Sequence, residues 1–396
     1  MSKKLNAITL SGLMIGPILG SGILFLPPLA YKNLGSSAII AWIIIMAQGA
    51  LFAYVFSRIT VAVPNNKGVS VIIGKTLGER FGKLSANYLT MAVLFGPVAV
   101  SLTAADFIQS TFMSIDRSMI VAASVLIVSA LIVLCNVNFM GKIMLVLSTI
   151  TACLLLVGGL ASLFNGSMIA LPYEFPPIKE LGHTLLLLFW SVVGWEVLGN
   201  YVEDVIDPAR TMMRAMKISI IAIVSVYLIT SFALQSNHCD SMSDLLVPIF
   251  GRYSSSIFGF IATGLCIGTI VTFTGAVARQ TTARMYSFNL PMLVKNNKFT
   301  VLALLLLNLI VLLCNAVGWM SFEMTVAMAN TLFLANAVLG LISGFKLIHS
   351  IWIRIGISVL LVMMLTILVF SQVYSIIFFT VVTLVSILFD KMMSNK

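Results

Sequence analysis

Two stretches of this 396-residue chain carry residue types that an apolar helix has no structural need for. The first is Gly16-Pro17-Ile18-Leu19-Gly20-Ser21-Gly22-Ile23, three glycines and a proline within seven residues of an otherwise apolar run. Glycine costs about 1 kcal/mol relative to alanine inside a helix and permits positive φ, and proline removes an amide donor. Unwound backbone at bilayer depth is tolerated only where protein or a watery cavity satisfies its polar groups. Amides freed at the start of a half-helix suit a carboxylate, because the helix dipole points its positive end there. The spacing Gly16-x-x-x-Gly20 also fits close helix packing through small residues, so both readings stand for this segment taken alone.

The second stretch is Phe189-Trp190-Ser191-Val192-Val193-Gly194-Trp195-Glu196-Val197-Leu198-Gly199-Asn200. A carboxylate in mid-span is costly in hydrocarbon, roughly 2.5 to 3.5 kcal/mol on insertion scales, so Glu196 should face a cavity or a partner. Surroundings of low dielectric favour the neutral carboxyl, which suits proton exchange; a structural glutamate bonded to a neighbouring helix is the alternative. Asp106, late in its own apolar run, is expected at the outer interface in contact with solvent.

These stretches belong to a chain that is 60% hydrophobic and only 9% charged. Soluble domains carry about 25% charged residues, so the composition excludes a water-soluble enzyme and specifies an all-α polytopic membrane protein. Windows of about 19 residues place twelve transmembrane helices near 7–31, 36–62, 86–113, 118–138, 142–164, 181–201, 214–235, 254–288, 299–317, 321–348, 352–370 and 372–389. The connections are too short for any second domain, and residues 1–396 read as one transmembrane unit. The interrupted helices are the first and the sixth. Five spans separate them, so the halves near 7–164 and 181–348 enter the membrane in opposite directions, with helices 11 and 12, near 352–389, outside the repeat.

The net charge of +10 follows the same topology. With the N-terminus inside, 19 of the 23 Lys and Arg fall on the cytoplasmic side, leaving Lys32, Arg117, Lys179 and Arg252 outside. That asymmetry predicts cytoplasmic termini and a multi-pass protein of the cell membrane, and it accounts for the basic excess without nucleic acid. Lys3 and Lys4 before an apolar run imitate a secretory signal, but the run is long and reads as a retained first helix. Val69 to Leu84 is mildly amphipathic, as an interfacial helix or an ordinary loop helix would be. The five cysteines are scattered, and His183, His238 and His349 stand apart without an H-E-x-x-H pattern, so neither a metal nor a cofactor is expected and the chain does not read as an enzyme.

Gly20-Ser21-Gly22-Ile23 resembles the G-S/T-G-I/V motif of the amino acid, polyamine and organocation transporter superfamily. Phe189-Trp190, Gly194-x-Glu196 and the run Glu203-Asp204-Val205-Ile206-Asp207-Pro208-Ala209-Arg210 resemble that superfamily's sixth-helix signature and the loop after it. Ala283-Arg284, Ala329-Asn330 and Phe345-Lys346-Leu347 are most similar to the bacterial exporters of methionine and branched-chain amino acids. The resemblance implies a LeuT-like fold of two inverted five-helix repeats plus two helices. It implies that the first break, at Gly20, Ser21, Gly22 and Ile23, holds the substrate carboxylate, and that carbonyls of helices 1 and 6, where Gly194 lies, hold the amine. By the same resemblance Trp190 covers the substrate and Glu196 is proton-sensitive. Three departures stand out: Asp207 replaces the usual Asn before Pro208, Pro17 replaces a small or apolar residue, and Lys142 sits at the start of helix 5 rather than within it.

Apart from Glu196 no charged residue is placed at the midplane, so the expected substrate is a zwitterion with an apolar side chain, with Met91 and Phe95 as candidate lining. The expectation is proton-coupled efflux of methionine, leucine, isoleucine or valine. Proton- or sodium-coupled uptake is the alternative, sodium drawing on Thr272 or Thr274, and a ligand sensor of the same fold without turnover is the third reading. Direction, coupling stoichiometry and oligomeric state are not legible in the residues.

Overall fold

A computed structural model describes residues 5–63, 68–112, 117–135, 137–165, 172, 174–195, 205, 207–285 and 295–394. Among them the chain is helical throughout, and the one extended pairing is an isolated bridge between Leu5 and Val205. In chain order the helices are α1 Ala7–Leu19, α2 Gly22–Leu34, α3 Ala38–Ala62, α4 Val69–Leu77, α5 Glu79–Phe112, α6 Ser118–Val133 and α7 Val137–Asn165. They continue as α8 Ile178–Leu188, α9 Pro208–Ser236, α10 Val247–Phe250, α11 Ser254–Met285 and α12 Asn297–Ala316. The last three are α13 Phe322–Leu347, α14 Ile351–Val369 and α15 Val373–Ser394.

Eight stretches among the described residues are long and apolar enough to cross a membrane, the first of them, Ala7–Ala62, containing α1, α2 and α3. The apolar stretches Ser118–Val133 and Val373–Leu388 are shorter. Large apolar side chains stand outward, with Ile120 66%, Val362 65% and Trp352 80% exposed, among many exposed apolar side chains of the kind that suit lipid rather than water. The protein is a multi-pass membrane protein.

At the centre, α5 packs most extensively against α11 and α13, and α3 against α9, while α1 lies among α7, α9 and α11. With hydrocarbon outside, such contacts rest on close packing rather than on escape from water. Gly340 and Gly344 of α13 accordingly admit Phe56 and Ile59 of α3.

Several helices begin earlier than hydropathy predicts. The third starts at Glu79 rather than near 86 because its first turns are polar, carrying Glu79 and Lys83. Lys83 Nζ lies 2.8 Å from Asp390 Oδ1 at the end of α15. The seventh starts at Pro208 rather than near 214: Asp207 caps it, its carboxylate accepting from the Arg210 amide at 3.5 Å, and Pro208 occupies the first turn. The connection at 63–85 contains α4, whose Ile72 and Ile73 are buried in a helix packed on α5 and α13, with Lys75 exposed.

Candidate functional site at two helix breaks

The first helix is interrupted at Gly20 and Ser21. Gly20 adopts φ 24°, ψ −136°, a conformation other residues rarely accept, and its amide closes α1 by donating to the Gly16 carbonyl at 2.7 Å. A Cβ on Gly20 would collide with the Thr269 hydroxyl of α11 and the Pro17 carbonyl. A second helix then starts at Gly22 with Ser21 as its N-cap residue and no side chain capping it. The Leu24 amide donates to the Ser21 carbonyl at 3.0 Å, which leaves the amides of Gly22 and Ile23 at the helix start without an intrahelical acceptor. The negative end of α1 and the positive end of α2 thus face the same point, which suits the ammonium and the carboxylate of one zwitterion.

A second break follows α8. α8 tightens into a 3₁₀ turn at Phe189–Ser191 and then leaves helical geometry, with Gly194 at φ 121°. The two breaks touch. The Trp190 indole Nε1 donates to the Ser21 hydroxyl at 3.1 Å, with both residues buried, and Gly194 lies against Ile18 at the end of α1 and Phe273 of α11. Of the residues expected in the site, Gly20, Ser21, Gly22, Trp190 and Gly194 are brought together here, and Ile23 is fully buried in the first turn of α2. Glu196 lies outside the described residues, as do Glu203 and Asp204.

Tyr227 of α9 has no counterpart in the sequence-based list. Its hydroxyl donates to the carbonyl of Ile18 at 3.0 Å and stands 3.5 Å from that of Leu19, two of the four acceptors that the end of α1 leaves open. Its ring stacks on Trp42 at 4.8 Å. A tyrosine deep in an apolar helix needs a polar partner, the one signal that could have marked it.

Between the breaks and α5, α11 and α13 lies a cavity of about 20 Å³, lined by Pro17, Gly96, Trp190, Val193, Ile270 and Phe333 among others. That volume holds about one water. In this conformation the site is contracted, and its lining is uncharged among the described residues. Met91 and Phe95 do not line it; Phe95 instead meets Phe378 of α15 edge to face at 5.1 Å. A helix has one inward face, and Gly96 and Pro97 occupy it. On α11 the Thr272 hydroxyl donates to the Gly268 carbonyl at 2.9 Å, while the buried Thr274 hydroxyl has no hydrogen-bond partner among the described residues.

A vestibule of about 1180 Å³ opens at one end of the bundle, lined by the end of α2, the last turns of α5 and the starts of α6 and α13. Asp106 is exposed there, as expected. Phe25 of α2 and Phe322 of α13 meet in it edge to face at 5.8 Å. Cys239, in the connection after α9, also lines it; burial, then the charges of Asp244 and Asp240, push its thiol up to about 11.

Residues 5–285, well over half of the chain, match the family model of the amino acid permeases. The chain belongs to the amino acid permease family. Among the relatives of this family member is the uncharacterised amino acid permease YecA of Bacillus subtilis (strain 168), 20% identical over 248 residues that make up 60% of this chain and 57% of the relative. The Asc-type amino acid transporter 1 of Mus musculus is 25% identical over 259 residues, 59% of this chain and 47% of its own. The cadaverine/lysine antiporter of Escherichia coli (strain K12) is 24% identical over 269 residues, 65% and 60%. The chain thus spans about half to three fifths of the length of these relatives. Its family and its relatives are transporters rather than enzymes.

Proposed function

We propose that this permease is a secondary active transporter of neutral, largely hydrophobic amino acids, exporting methionine, leucine, isoleucine or valine in exchange for protons. The observation that carries the substrate class is the aromatic-lined cavity beside the two helix breaks, uncharged among the described residues. Backbone dipoles and hydrogen-bonding groups can pair both charges of a zwitterion, whereas a charged side chain would lie unpaired in that lining. The name of one relative, the large neutral amino acids transporter small subunit 2 of Mus musculus, agrees with this class.

The architecture in this reading is twelve spans in a LeuT-like fold of two inverted five-helix repeats plus two helices, with both termini cytoplasmic. Two features support it. Breaks fall in the first and sixth positions, and the most extensive pairings include α5 with α11 and α3 with α9, third with third and second with second under the repeat. The first break, from Gly20 to Ile23, takes the carboxylate, Trp190 and Gly194 border the side chain and amine, and Glu196 exchanges the proton. Alternating access follows from an equilibrium between states that the two ligands bias differently. The contracted cavity below an open vestibule fits one member of such a set.

The test uses the full chain in proteoliposomes, with labelled leucine and methionine, pH gradients imposed in either direction, and choline replacing sodium. Flux driven by the proton gradient, indifferent to sodium and uncoupled by Glu196→Gln, is the expected result. Sodium-dependent flux, or full proton coupling in Glu196→Gln, would overturn the coupling scheme. Absence of any neutral amino acid flux would overturn the transporter reading in favour of a sensor.

A further inference from the structure

α5 carries Pro97 in the middle of the stretch from Val93 to Val100 that walls the cavity. Proline has no N–H, so the Val93 carbonyl one turn earlier has no donor in its own helix. Val93 is fully buried, and a buried acceptor without a donor is costly, the more so at bilayer depth where water does not substitute. Asn308 of α12 meets the need. Its side chain is 2% exposed, and its Nδ2 donates to the Val93 carbonyl at 2.9 Å and to the Leu94 carbonyl at 3.0 Å. A carboxamide nitrogen has two hydrogens, one for each of the two consecutive oxygens.

The same segment of α5 faces the substrate space. A Cβ on Gly96 would stand 3.8 Å from both the Trp190 and the Phe333 rings, in ordinary contact. Small displacements of this wall therefore change the room between α5, Trp190 and Phe333. Asn308 does not itself line the cavity. We propose that Asn308 is a positioning residue: by supplying the donor that Pro97 lacks, it holds the α5 wall in place and sets which substrate side chains fit. This rests on the neutral amino acid reading above and deepens it.

The test compares wild type, Asn308→Leu, Pro97→Ala and the double variant, each as the full chain in proteoliposomes, with alanine, valine, leucine and methionine as substrates. Asn308→Leu is expected to raise KM for leucine and methionine about tenfold, with a smaller rise for alanine and a lesser change in maximal rate. In the Pro97→Ala background the restored amide at position 97 serves the Val93 carbonyl, so the same leucine should change KM by less than about twofold. Equal factors in both backgrounds, or a uniform loss of rate with KM unchanged for all four substrates, would overturn the proposal. If Asn308→Leu alone does not fold, folding and transport regained in the double variant support the proposal, and a double variant as defective as Asn308→Leu overturns it. A wild type that transports none of the four overturns the functional reading and this inference with it; wild-type transport with a flat variant pattern overturns this inference alone.

Discussion

Trp190 and Ser21, 169 positions apart in the chain, are joined by a buried 3.1 Å hydrogen bond between the indole Nε1 and the hydroxyl oxygen. Each sits at a point where its helix stops being α-helical, so the bond ties one break to the other. Ser21 is the residue that would cap the second half-helix, but its hydroxyl accepts from the indole and makes no cap bond. The leading amides of α2 are without a side-chain cap.

Trp190→Phe keeps an aromatic wall and removes the donor. A neutral hydrogen bond of this kind contributes about 0.5 to 1.5 kcal/mol, so substrate affinity should fall about two- to tenfold. Ser21→Ala removes the other half of the same bond, and the double variant should be no worse than the poorer single variant. Binding measured by ligand-induced thermal shift over this cycle decides it, and strictly additive losses would show that the bond is not what joins the breaks.

Gly20→Ala should be much more damaging than Gly35→Ala. Both glycines have positive φ, 24° and 55°, so both substitutions carry backbone strain of about 1 to 3 kcal/mol. At Gly35 a Cβ meets nothing within 4 Å, whereas at Gly20 it meets the Pro17 carbonyl at 2.6 Å and the Thr269 hydroxyl. The Gly35 variant should unfold at a modestly lower temperature in detergent and still transport. The Gly20 variant should lose transport even where it folds, and two variants behaving alike would remove Gly20 from the site.

Cys239 should be a slow thiol. Burial and then the carboxylates of Asp244 and Asp240 disfavour its thiolate, raising the thiol from 9.0 to about 11. The reactive form is the thiolate, so at pH 7 only about one molecule in ten thousand presents it, and maleimide labelling should speed about tenfold per pH unit up to that value. In a chain whose other cysteines are replaced, Asp244→Asn should lower the pKa and accelerate labelling at neutral pH. A rate independent of pH between 7 and 9, or slower labelling in Asp244→Asn, would contradict the assignment.

Residue type alone determined a good deal. An apolar belt with so few charges has no stable home except a bilayer, and glycine with proline inside such a belt cannot sustain a regular helix. Gly20, Ser21 and Gly22 were therefore legible as a break, and Trp190 and Gly194 as belonging to a second one. Polar first turns were not legible, because hydropathy registers the oil and not the hydrogen bonds, and so α5 and α9 begin earlier than their apolar runs. Which residues close around the site was decided by tertiary structure. Tyr227, Thr269, Phe333 and Asn308 come from four different helices, and a polar group in an apolar run signals at most that Tyr227 and Asn308 need a partner, not which one. Their significance arises from distant vacancies: the open carbonyls at the end of α1 that Tyr227 meets, and the carbonyl bared by Pro97 that Asn308 meets. A helix satisfies its backbone locally and reveals itself in a local pattern. A break or a proline passes that demand to whichever helix packs alongside, and only the packed bundle decides which side chain answers it.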